Sequence, residues 1–154
     1  VISKNEQKTK AMVAADERTK IDRNVLIWLN QYPELPVATV TTETHLGNNE
    51  PGVALSTITS AYVNRSFIYG GYDADYDFRI VYRIKPGKSM DKSLKANELL
   101  NMLGDWCTRN YPELGTGIRV IKVTPTSQAE TTALYEDGDE DHQIQMKITY
   151  ERME

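Results

Sequence analysis

Hydrophobic residues fall into two helical stripes separated by stretches that alternate. Between about Ala11 and Gln31, Ile21, Val25, Trp28 and Leu29 recur at i, i+4, i+7 and i+8, with Met12 and Ala15 extending the series backwards. Residues three and four apart share a helix face, so the spacing predicts one apolar stripe. Pro33 and Pro36 end that helix and open an extended segment, because proline lacks the amide donor and biases its predecessor away from helix. The second stripe is Ala96, Leu99, Leu103 and Trp106, flanked by Leu100 and Cys107. It predicts a helix from about Asp91 to Arg109, capped by Ser89 or Asp91 and ended by Tyr111 to Gly115. Both Trp28 and Trp106 are expected in the core.

The remaining pattern is that of strands. Val37 to His45, Val53 to Ser60 and Val63 to Tyr69 are rich in β-branched or aromatic residues, with turn compositions at Gly47–Gly52 and Gly70–Asp73. The clearest strand runs from Asp75 to Lys85. Tyr76, Phe78, Ile80, Tyr82 and Ile84 alternate with Asp77, Arg79, Val81, Arg83 and Lys85. A period of two places the first set on one face and mostly charges on the other, as in a sheet covered on one side only. After the second helix come a short strand, Ile118 to Val123, and a hairpin. Its arms are about Thr132–Glu136 and His142–Arg152, joined at Asp137-Gly138-Asp139. The expected fold is a single α+β domain over residues 1–154: a mixed or antiparallel β-sheet packed by two α-helices, with a C-terminal β-hairpin. The polar residues 1–10 are expected to form a flexible N-terminal arm.

Composition narrows the function more than the fold. The chain has 154 residues, 40% hydrophobic and 26% charged, which suits a folded domain. A net charge of −4 disfavours general binding to a phosphate backbone, which needs clustered basic residues. The single cysteine, Cys107, leaves no internal disulfide and points to a cytosolic or redox-indifferent setting. No apolar run approaches the roughly 20 residues of a membrane span, and the opening residues show no signal-peptide core.

Most catalytic signatures are missing from the sequence. There is no Walker loop and no nucleophile elbow. His45 and His142 lie far apart without metal-ligand partners at usual spacings, so each reads as a surface or structural histidine. Cys107 lies on the buried side of its helix and behaves as a small hydrophobe. The acidic run Glu136, Asp137, Asp139, Glu140 and Asp141 does not fit a calcium loop, because Ala133, Tyr135 and Ile144 stand where ligands are needed. It reads as an exposed, mobile hairpin tip. The expectation is therefore no enzymatic activity, no cofactor and no metal.

The mixed charges on the outer face of the alternating strand suit a solvated surface or a subunit contact better than a nucleic-acid platform, since the strand's aromatics point to the core. Asp77, Arg79, Val81, Arg83 and Lys85 are the candidate interface residues. A neighbour of complementary sign would pair the charges and cover the valine.

The segments Pro51-Gly52-Val53-Ala54-Leu55-Ser56, Phe67 to Tyr72, Tyr76 to Arg83 and Leu99 to Trp106, with the closing hairpin and the opening helix around Trp28-Leu29, resemble the tail-terminator (minor capsid, head–tail joining) proteins of long-tailed bacteriophages. The resemblance implies a structural virion protein. It would form a homo-oligomeric ring, a hexamer, at the head-proximal end of the tail, stop polymerisation of the tube and join the head connector. Its partners would be further copies, the tail tube protein and the connector or neck protein. DNA would pass through the ring without sequence-specific binding, and no membrane would be involved. Assembly would take place in the host cytoplasm. Two alternatives remain open on the sequence: another tail or neck ring component, such as a tube or head-completion protein, and a small ligand-binding or enzymatic α+β module.

Overall fold

A computed structural model describes residues 11–47 and 50–153. The expected N-terminal arm, and the Asn48-Asn49 part of the turn before Pro51, lie outside the described residues. In chain order the elements are α1 (Ala15–Leu29), β1 (Val40–Thr42), a 3-10 turn (Glu43–His45), β2 (Gly52–Leu55), β3 (Ser60–Ser66), β4 (Tyr72–Ile84), α2 (Met90–Arg109), β5 (Ile118–Pro125), β6 (Glu130–Leu134) and β7 (Glu140–Arg152). Among the described residues the strands form one seven-stranded sheet, and the fold is α+β. None of these helices is long and apolar enough to cross a membrane.

The sheet is organised on β4 and β7, each 13 residues long and paired antiparallel over their whole length. β2 and β3 share the free edge of β4, β2 against residues 80–83 and β3 against residues 72–77. β5 and β6 divide the free edge of β7 in the same way. β1 adds parallel to β2 and makes the sheet mixed. Residues 11–13 do not extend α1. They lie against β3, with the Val13 amide donating to the Ala61 carbonyl and the Val63 amide to that of Ala11, so Val13 is buried and Met12 exposed.

The core lies between the helices and one face of the sheet. Tyr76, Phe78 and Ile80 of β4 stand opposite Ile148, Met146 and Ile144 of β7, all at most 2% exposed. α1 buries the expected Ile21, Val25, Trp28 and Leu29. Asp16 and Glu17 lie in its first turn, where carboxylates complement the helix dipole. Its far end is tied to the edge strand by Asn30, which donates to the Val40 carbonyl and accepts from the Val40 amide at 2.7 Å, as a strand partner would.

α2 is capped by Ser89, whose hydroxyl accepts the Lys92 amide. Its buried face is turned slightly from expectation: Ala96, Leu100, Leu103, Gly104 and Cys107 are buried, whereas Leu99 and Trp106 are half-buried. The reason is Gly104. A Cβ there would stand 2.8 Å from the Ile144 Cδ1, so the glycine lets the helix backbone approach β7 and rotates the stripe around it. Trp106 stacks on Trp28 with centroids 5.8 Å apart, and the Trp28 Nε1 donates to the Asn110 carbonyl.

Two carboxylates of α1 meet tyrosines of the sheet. Glu17 Oε2 accepts from Tyr72 at 2.6 Å and Tyr150 at 2.8 Å. Asp22 accepts from Tyr76 and from Thr59. These bonds satisfy the buried Tyr76 and Tyr150 hydroxyls, which would otherwise cost stability, and the half-buried ones of Tyr72 and Thr59.

Candidate subunit interface

Opposite the helices, β4 and β7 present a face of side chains in register: Asp75 beside Thr149, Asp77 beside Lys147, Arg79 beside Gln145, Val81 beside Gln143 and Arg83 beside Asp141. The sequence-derived interface residues therefore divide. Asp77 and Arg79 are half-buried on this face. Burial pushes the Asp77 carboxyl up, against the lowering effect of nearby Lys147. Arg79 donates to the Ser56 hydroxyl at 3.1 Å, and Ser56 in turn donates to Glu43. With Gln145, Ile58, Ser60 and Thr126, Asp77 and Arg79 line a shallow hollow of about 350 Å³.

Val81 and Arg83 depart from expectation. Val81 is only 4% exposed in the single chain, because Ala54 and Gln143 flank it across the strands. It has no apolar area left to give a neighbour. Arg83 is committed internally. Its Nε and Nη2 donate to the two Asp141 oxygens at 2.7 and 2.9 Å, Nη2 also donates to the Tyr135 hydroxyl, and the guanidinium lies 5.0 Å from the Tyr135 ring centroid. Lys85 lies one residue past the paired strand and lines a groove beside α2, away from the outer face.

The same ion pair corrects the reading of the acidic tip. Glu136 and Asp137 are exposed, and Glu140 is half-buried, but Asp139 and Asp141 are 3% and 5% exposed. The tip is also fastened. Tyr135 donates to Asp141 at 2.7 Å, its amide donates to the Asp139 carbonyl, the Gly138 amide donates to the Tyr135 carbonyl, and the Asp139 amide donates to Asp137 Oδ1. Gly138 has φ +94°, a conformation that L residues with side chains rarely adopt. Behind the tip, His142 is fully buried between Asn97 Oδ1 at 2.8 Å and Glu140 Oε1 at 2.9 Å, with Ser93 donating to the same Glu140 oxygen. His142 is a structural histidine joining α2 to β7, and His45 is exposed.

The sequence matches no family model and no curated protein.

Sequence reasoning missed the exposed apolar residues of the turns. At the β3–β4 turn, Ile68 is fully exposed and Tyr69 is 77% exposed. The Tyr69 ring stacks on Phe67, and Arg65 lies over the Phe67 ring. At the β6–β7 turn, Leu134 is 73% exposed and Tyr135 43%. The available signal was apolar residues at strand ends within four residues of a turn-forming glycine. Alternation had assigned them to strands, where one face in two is buried. Burial pushes the Cys107 thiol up to about 12, which leaves it protonated and unsuited to nucleophilic chemistry near neutral pH.

Proposed function

We propose that this protein is a structural assembly protein of a phage tail, a terminator that closes into a homo-oligomeric ring, caps the tube and joins the head connector. One observation carries the reading beyond resemblance. The β3–β4 turn lies where Tyr72 pairs Arg152, and the β6–β7 turn where Ile84 pairs Glu140, so they stand at opposite ends of the two long strands. Each exposes large apolar residues, and their chemistry differs: Ile68 and Tyr69 beside half-buried Phe67 and with Arg65 at one pole, Leu134 and Tyr135 with Glu136 and Asp137 at the other. Exposed apolar clusters mark contact surfaces. Two unlike clusters at opposite poles call for two different contacts, one to a neighbouring copy and one to an unlike partner, which a single two-fold dimer does not supply and a ring seated on such a partner does.

The test is the mass of the full chain in solution and its effect on tails. Light scattering should give about six times 17.5 kDa, and tails assembled without the protein should overgrow or fail to join heads. A chain that stays monomeric both alone and with assembled tubes refutes the reading. Arg79→Glu is the charge reversal suited to the outer face. Arg83→Glu is not, because it sets a carboxylate against buried Asp141.

A further inference from the structure

Beside α2 lies a groove of about 340 Å³. Its floor includes Tyr82, Ile84 and Leu99, and Lys85, Lys92 and Lys95 form its rim. Lys95 sits 3.1 Å from Asp91, but both side chains are more than 70% exposed, so the pair is weak and water-screened. A smaller hollow of about 160 Å³ shares Lys95 and Leu99 and is lined further along by Glu34 and Glu98. The groove is thus apolar below, basic at one end and acidic at the other.

We propose that this groove receives the β6–β7 turn of a neighbouring copy, with Leu134 over the apolar floor and Glu136 and Asp137 against Lys92 and Lys95. The inference rests on the ring reading and identifies the surfaces that would close it. Charge is the first argument. The turn carries exposed carboxylates next to an exposed leucine, and the groove carries lysines around an apolar floor. Glu34 and Glu98 repel the turn from the wrong end, so the charges set register as well as attraction.

Preorganisation is the second argument. The Arg83–Asp141–Tyr135 cluster and the backbone bonds across the turn hold it in one shape before any contact, which lowers the ordering cost of docking. Placement is the third. Both surfaces lie at the pole where Ile84 meets Glu140, the groove on the β2–β4 side and the turn on the β6–β7 side. The first turns of α2 stand between them, anchored by Ser93 to Glu140. A copy therefore presents its turn to a neighbour, and the contact joins two different surfaces, the kind that closes into a ring when the rotation permits.

Three full-length proteins test this by sedimentation velocity: wild type, a groove variant (Lys92→Glu with Lys95→Glu) and a turn variant (Glu136→Lys with Asp137→Asn). The asparagine keeps an oxygen for the Asp139 amide. All changed residues are exposed, so thermal melting should show each variant folded. Each variant alone should dissociate, with an apparent dissociation constant raised at least about tenfold. An equimolar mixture should reassemble, because each acidic surface then meets a basic one. Leu134→Ser should weaken wild-type assembly without changing the fold. Variants that assemble like wild type, or that dissociate and do not recover on mixing, overturn the groove contact while wild-type rings leave the function standing. A wild-type chain that never oligomerises overturns the ring reading itself.

Discussion

Replacing Arg83 with methionine isolates what fastens the acidic turn. The substitution keeps most of the aliphatic volume and removes the guanidinium from Asp141, whose side chain is 7% exposed. Asp141 is left with the Tyr135 hydroxyl and its charge. Breaking a fully buried ion pair costs about 3–5 kcal/mol. The Arg83 side chain is 14% exposed, so some water reaches the site, and a loss of about 2–4 kcal/mol is expected. For a domain of this size, 3 kcal/mol lowers Tm by roughly 6–12 °C. Asp141→Leu should cost a similar amount, but the double variant should recover most of it, since an apolar pair replaces an ionic one. Urea unfolding followed by the fluorescence of Trp28 and Trp106 gives the three differences and hence the coupling energy. Hydrogen exchange at the Tyr135 amide should quicken in the single variants. Single losses below about 0.5 kcal/mol, or a double variant as unstable as the sum of the singles, would show an ordinary surface pair and a turn not held by it.

Alkaline stability follows from Tyr76 and Tyr150, both fully buried, whose hydroxyls are pushed well above the ordinary tyrosine value, first by burial and then by the carboxylates of Asp22 and Glu17. A raised value in the folded state means full stability below the unfolded value of about 10 and a loss above it, by about 1.4 kcal/mol per pH unit for each tyrosine. Denaturation midpoints measured from pH 9 to 11.5 should fall accordingly. Tyr76→Phe or Tyr150→Phe should flatten the fall, and an unchanged slope in both would contradict the burial argument. Trp28→Ala should cost about 3–5 kcal/mol as a core truncation, and half-buried Trp106→Ala about 1.5–3 kcal/mol, since less area leaves water. Equal midpoint shifts in urea would mean that the two rings are equally buried.

Periodicity made much of this fold legible, because the signal is local. The α1 stripe, the alternation of β4 and β7 and the α+β class depend on which side of an element faces water, and each can be read within a few turns or residues. The Ser89 cap and the turns at Gly70-Gly71 and Gly138 also follow from residues next to one another in the chain. What the tertiary structure alone decided involves partners distant in sequence. Gly104 turns α2 because Ile144 lies beneath it. Val81 is buried although it sits on the charged face, because Ala54 and Gln143 arrive from two other strands. Asp139 and Asp141 are buried in a run of acids that reads as solvated, and Arg83, 58 residues before Asp141, neutralises Asp141. Charge composition specifies how many ionic groups a segment carries, but only strand pairing fixes which find a partner close enough to leave water. That is why the exposed apolar turns and the lysine-rimmed groove, the surfaces proposed for assembly, emerge from the fold and not from the sequence.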